Sequence, residues 1–251
     1  MTRAFAPALL LLAAGLGVAS AADQPQRSGL DFATPGLRQM QEDDFANPGM
    51  LWVAEGEALW SKADGARGRS CAGCHGAIRS MAGIALPRRD KRDPRRLVNL
   101  ELQIEQCRGE RMAARPFGYE SQALLALTTA IRHQARGLPA KVAYDADAIA
   151  AGEREYRLKR GQFDLACDQC HEQRTGKRLR DETLSQGQSN GFPAYRLRWQ
   201  SVGSLHRRLQ ACNNAVGAEP SELGAQDYVA LEWFLAWRGR DLPVETPAVR
   251  Q

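Results

Sequence analysis

Beyond residue 21 the sequence has no apolar run long enough to cross a membrane, which excludes an integral span from the rest of the chain. It also lacks any nucleic-acid motif and any interleaving of aromatic with basic residues. Its net charge of +5 therefore favours small anions or an acidic protein partner over nucleic acid. Methionine runs out early. Met1, Met40, Met50, Met81 and Met112 are all there are, so the second half has no thioether to offer a metal. Histidine is nearly as scarce, with only His75, His133, His171 and His206.

Cysteine is the residue used with purpose. Four of the six cysteines fall in two copies of Cys-x-x-Cys-His, 96 residues apart: Cys71-Ala72-Gly73-Cys74-His75 and Cys167-Asp168-Gln169-Cys170-His171. This is the signature of c-type haem attachment. The two thiols add across the haem vinyl groups, and the adjacent histidine becomes the first axial ligand of the iron. Cys71, Cys74, Cys167 and Cys170 are thus expected to hold two covalent haems, with His75 and His171 on the irons. The alternative is a pair of Cys-x-x-Cys zinc or redox elements.

The N-terminus reads as a secretory signal. Arg3 supplies the positive charge, the segment from Pro7 to Ala14 begins the apolar stretch, and Ala19-Ser20-Ala21 fits the small-residue cleavage rule. Export to a periplasm-like compartment agrees with haem c, which is attached outside the bacterial cytoplasm. The mature protein is expected to be soluble. Residues 22–48 form an N-terminal extension rich in turn residues.

The remainder is built on one plan used twice. Gly56-Glu57 precedes Cys71 at the distance by which Gly152-Glu153 precedes Cys167, and Trp60 aligns with Tyr156. Helices are predicted over 53–62 and 149–159 before the motifs. Further helices are predicted over 97–107 and 202–212, then 120–134 and 226–237. The expected fold is mainly α, with two class I cytochrome c-like domains in tandem over 49–138 and 139–251. They divide near Gly137-Leu138-Pro139, where the helical pattern stops. Cys107 follows His75 by 32 residues, whereas Cys212 follows His171 by 41, so the second domain carries an inserted loop near Ser185–Pro193. That loop is either functional or a decorated surface segment. The basic run Arg88–Arg96 reads as a solvated loop, or else as a docking patch.

Each iron needs a second axial ligand to stay low-spin. Cys107 and Cys212 remain, placed in parallel in the repeat, and that placement points to each as the distal thiolate of its own haem. A Cys107–Cys212 disulfide is the alternative in an exported protein, and His206 or His133 could supply an imidazole instead. A thiolate donates strongly to iron and is also a nucleophile. Arg208 lies one helical turn before Cys212. There a guanidinium favours the ionised sulfur and can hold an anion, unless it is simply solvated.

Taken together, these residues resemble the SoxA family, the dihaem cytochrome subunits of the SoxAX complex of bacterial thiosulfate oxidation. The resemblance is densest over Leu184–Gly187, Tyr195–Gln200, Gly203–Asn213 and Leu242–Arg250. It implies an L-cysteine S-thiosulfotransferase that joins thiosulfate oxidatively to a cysteine of the SoxY protein in the SoxYZ carrier. Electrons would leave through haem to a SoxX subunit and a soluble cytochrome c. It further implies that Cys212 is the haem-ligating active cysteine, carried as a persulfide, with Arg208 binding substrate and His206 close by. Cys107 would ligate the N-terminal haem. Relatives carry a basic residue shortly after the active cysteine, and Val216-Gly217-Ala218 lacks one. The competing readings are a dihaem electron carrier without chemistry of its own and a dihaem peroxidase.

Overall fold

A computed structural model describes residues 25–251 of the chain. The export signal and its cleavage point lie outside the described residues. In chain order the elements are α1 (Pro35–Glu42), α2 (Met50–Ser61), α3 (Cys71–His75), β1 (Arg88–Arg89), β2 (Leu97–Val98), α4 (Leu100–Cys107), α5 (Gln122–His133), α6 (Ala146–Arg157), α7 (Cys167–His171), β3 (Arg178–Leu179), β4 (Glu182–Thr183), β5 (Ala194–Arg196), β6 (Ser201–Gly203), α8 (Leu205–Ala215), α9 (Gln226–Arg238) and β7 (Ala248–Arg250). Among the described residues no helix is long and apolar enough to cross a membrane. The fold is helix-rich, with the haem motifs forming the short helices α3 and α7.

One helix crossing occurs twice. α2 packs on α5, and α6 packs on α9. Each crossing is so close that only glycine fits. A Cβ on Gly56 would lie 2.1 Å from the Ala126 carbonyl oxygen, and one on Gly152 would lie 2.0 Å from that of Ala230. Each crossing also seats one buried aromatic, Trp60 or Tyr156. Trp60 gathers Leu100, Ile104, Leu124, Leu127 and Ile131 around it. Tyr156 does the same with Leu205, Leu209, Tyr228, Leu231 and Leu235. Removing these side chains from water is the main term holding the helices together.

Two helices start later than their apolar pattern predicts, because caps decide the first turn. Asn99 Oδ1 accepts from the Leu102 N–H at 3.1 Å, and Ser204 Oγ accepts from the Arg207 N–H at 3.2 Å. The apolar residues ahead of them, Leu97-Val98 and Val202-Gly203, are left as strand. α8 also runs three residues past Cys212. α4 passes into one π-helical turn, Arg108–Met112, stopped by Ala113 at a φ of 52°.

The N- and C-terminal segments are interlocked. β5 pairs antiparallel with β6 and parallel with β7. Leu125 of α5 packs with Tyr195, Val202 and Val249 of this sheet. α1 closes it, with Gln41 Oε1 accepting from the Val249 N–H at 3.1 Å, while Asn47 donates to the Pro247 carbonyl at 2.9 Å. The described part of the N-terminal extension is therefore a clamp on the C-terminal tail.

The segment 185–193 is no surface decoration. Gln186, Gln188 and Asn190 are buried. Gln186 donates to the Pro25 carbonyl at 3.0 Å and accepts from the Arg27 N–H at 2.8 Å, and Asn190 donates to the Pro243 carbonyl at 2.8 Å. The basic run is an exposed loop from Lys91 to Arg96, anchored at its start by strand. It folds into the β1–β2 hairpin, where Arg89 grips Asp145, the N-cap of α6, with contacts of 2.5 and 2.9 Å.

Candidate functional site

α7 presents Cys167, Cys170 and His171 on one turn. His171 Nδ1 lies 2.8 Å from the Ser185 carbonyl oxygen. A carbonyl only accepts, so Nδ1 carries a proton, and Nε2 is the nitrogen that would be left to a metal. Gly187 completes the cradle. At its φ of +71° a side chain is strained, and a Cβ there would stand 2.8 Å from His171 Cγ. The strap 185–193 thus fixes the imidazole from behind.

The Cys212 thiol on α8 faces this turn, close to His171, Cys167 and Cys170. Burial pushes its pKa up. The Arg208 guanidinium, a hydrogen bond with the His171 ring and the charge of Arg196 outweigh that and bring it down to about 7. Cys167 is left to the opposite fate: burial first, and Cys212 second, push it up to about 12. Cys212 is therefore the sulfur of this cluster most easily ionised.

Two guanidiniums flank that sulfur. Arg208 stands one turn before it on α8. Arg196 comes from β5, is only 5% exposed, and holds its guanidinium 5.3 Å from the Trp199 ring centre. Burial, and then the charge of Arg208, loosens the Arg196 proton to about 10. Glu182 of β4 ties the two together, pairing with Arg196 on one oxygen and lying 3.5 Å from Arg208 on the other. Two cations and one carboxylate leave a local excess of positive charge beside the thiol, suited to an anion. Sequence reasoning singled out Arg208 and passed over Arg196 and Glu182. Arg196 had a signal, the run Tyr195-Arg196-Leu197-Arg198-Trp199. Glu182 had none, because the β3–β4 hairpin brings it in. The stretch Val216–Ala218, without a basic side chain, works through its backbone: the Val216 and Gly217 carbonyls each accept at 3.3 Å, from Phe163 and Gln162 in the loop ahead of α7.

The first motif is built alike. Ser70 Oγ caps α3 by accepting from the Gly73 N–H at 3.0 Å. Trp60 donates to the Gly76 carbonyl at 2.9 Å, its ring 5.8 Å from that of His75. Cys107 ends α4 close to Cys71, whose thiol is raised by burial and then by Cys107. Gln103 Nε2 donates to Cys107 Sγ at 3.3 Å. All six cysteines are free, so the Cys107–Cys212 disulfide is not formed and each odd cysteine sits with its own motif.

His206 is placed elsewhere. It is fully buried, accepts from the Gly224 N–H on Nδ1 at 3.0 Å, and holds Nε2 3.1 Å from Glu232. It stacks on Tyr119 and meets Tyr228 edge-on. Its ring is committed to this polar core, not to Cys212 and Arg208. His133 is likewise committed, with Nδ1 3.1 Å from the Thr246 carbonyl oxygen.

The donor sets fit haem c. Each has two thiols on one turn and an adjacent imidazole. A third sulfur from a separate helix lies against the motif in both, and in the second set the imidazole's far nitrogen is anchored. Comparison with known proteins agrees. The family model for the SoxA/TsdA cytochrome c domain matches residues 55–140. L-cysteine S-thiosulfotransferase subunit SoxA of Pseudaminobacter salicylatoxidans is 42% identical over 89% of this chain and 80% of its own. The same subunit of Rhodovulum sulfidophilum is 37% identical over the same shares. The crystal structure of SoxXA from P. pantotrophus superposes with a TM-score of 0.85 at 36% identity, covering 89% of this chain and 86% of that one.

Proposed function

The chain belongs to the SoxA family of L-cysteine S-thiosulfotransferase subunits, and on that footing we propose that it joins thiosulfate to a cysteine of a SoxY-type carrier at Cys212. The observation that carries this reading is the cluster itself: the Cys212 sulfur against His171, with Arg208 and Arg196 beside it and tied to each other through Glu182. In the reaction the outer sulfur of thiosulfate and the carrier's cysteine thiolate become linked by an S–S bond. The carrier then holds a thiosulfonate, and two electrons are released. Haem c would be held by Cys167, Cys170 and His171, with Cys212 as a further sulfur donor, and would supply the one-electron redox chemistry that accepts them. Their exit runs to a SoxX partner and a soluble cytochrome c.

The chain's own groups do the rest. Arg208 and Arg196 orient the sulfonate end of the dianion and offset its charge, so that its outer sulfur meets Cys212. Glu182 holds the two guanidiniums apart and aimed at the same place until substrate arrives. Cys212 is the nucleophilic sulfur; its attack on the outer sulfur of one thiosulfate, with sulfite leaving, would carry it as a persulfide. Cys71, Cys74, His75 and Cys107 hold a second haem c. We read the architecture as two class I cytochrome c-like domains in tandem, 49–138 and 139–251, the second carrying the inserted segment. The protein is exported through its signal and acts in the periplasm.

The intact mass of the mature chain tests the basis of this reading. It is expected to exceed the polypeptide by two haems. One haem, or none, would contradict it. The electron-carrier reading predicts the same mass but no thiosulfate-dependent change in a carrier thiol.

A further inference from the structure

The two odd cysteines sit on equivalent helices, yet the residue one turn before each differs: Arg208 before Cys212 and Gln103 before Cys107. Gln103 is not idle. Arg88 of β1 donates from Nη2 to Gln103 Oε1. A guanidinium has only donors, so this contact assigns the amide: Oε1 faces Arg88 and Nε2 faces the sulfur. Nε2 then donates to Cys107 Sγ at 3.3 Å. The two contacts form one directed chain from cation to amide to sulfur. The hairpin that carries Arg88 is fixed on the same helix a second time, because Gln106 donates to Asp90 at 2.6 Å. Arg88 also donates from Nη1 to the Arg89 carbonyl at 2.9 Å, which settles its guanidinium.

We propose that Arg88 and Gln103 tune the first haem's Cys107 thiolate, and that the Gln103/Arg208 difference leaves the first centre without the anion-holding cation that the second has. The inference rests on reading Cys107 as the distal ligand of the first haem. A hydrogen bond to a ligating sulfur draws electron density from it and weakens its donation to iron. That favours the reduced state and raises the potential. Arg88 strengthens the effect by polarising the amide. Arg88 reaches the sulfur through Gln103, and the neutral amide beside Cys107 offers no cation to a sulfonate. In the second centre the equivalent position carries the guanidinium itself. Gln103 and Arg88 are positioning residues, and they give the basic hairpin a role that its sequence alone left open.

The test is potentiometry of both haems in the intact complex, on Gln103→Leu, Gln103→Glu and Arg88→Gln, with haem content and electron paramagnetic resonance recorded alongside. The expected result is a lower midpoint potential for the first haem in all three. The shift should be larger in the Gln103 variants than in Arg88→Gln, with thiolate signals retained and the second haem unmoved. If Gln103→Leu fails to load haem, Gln103→Glu and Arg88→Gln decide. An unchanged first-haem potential with thiolate ligation intact would overturn the tuning chain alone. A first haem without thiolate ligation in the unaltered protein would overturn it together with the ligand assignment.

Discussion

Cys212→Ala is expected to abolish thiosulfate-dependent modification of the carrier cysteine, a loss of more than roughly a thousandfold. The covalent haem attachment at Cys167 and Cys170 does not use Cys212, so the variant should keep both haems, and loss of activity cannot be put down to loss of cofactor. The sulfur removed is the one that burial, Arg208, His171 and Arg196 together bring to a pKa of about 7. No other thiol near it is as easily ionised, Cys167 being pushed to about 12. Cys107→Ala is the matched control, since it removes the equivalent sulfur from the first centre and should disturb that haem while leaving the anion site built. Mass spectrometry of the carrier after incubation with thiosulfate, the partner cytochrome and each variant reads both outcomes. Full conjugation by Cys212→Ala would end the enzymatic reading and leave an electron carrier.

Arg208→Ala carries the second large effect. A dianion entering a half-buried site needs fixed positive charge, and Arg208 is the strongest of the groups that bring the Cys212 thiol down, ahead of His171 and Arg196. Removing Arg208 also leaves Glu182 paired with Arg196 alone, which cancels most of the remaining positive charge. The expected cost is about 2–4 kcal/mol of transition-state stabilisation, or roughly 30- to 900-fold in kcat/KM. Arg208→Lys should recover part of it, because a point charge replaces a planar fork. Steady-state kinetics at varied thiosulfate check this. A kcat/KM within twofold of the unaltered protein would remove Arg208 from the substrate site.

Much of this was legible in the sequence because it is local. A haem motif is one turn of chain, and Arg208 and Cys212 lie one turn apart. Gly56 and Gly152 mark the same helix crossing at the same distance before each motif. What escaped was brought in from a distance. Glu182 reaches the site on a hairpin, and Arg196 sits on a strand whose partner, β7, is the far end of the chain. The strap 185–193 appeared only as excess length. Its polar residues left a functional loop and a decorated surface segment equally open, and Gln186 and Asn190 are buried because each satisfies a backbone group of another segment. His206 went the other way. The SoxA resemblance implied that it lies close to Arg208 at the site, but it lies on another face of α8, held by Gly224 and Glu232.

The central claim is that the Cys212 sulfur, not an imidazole, would join His171 as a ligand of the second iron. Electron paramagnetic resonance of the oxidised protein, compared with Cys107→Ala to single out the second haem, tests it most directly. The account predicts a low-spin histidine/thiolate signal for the second haem that persists in Cys107→Ala and is lost in Cys212→Ala. A bis-histidine signal that survives Cys212→Ala would contradict it.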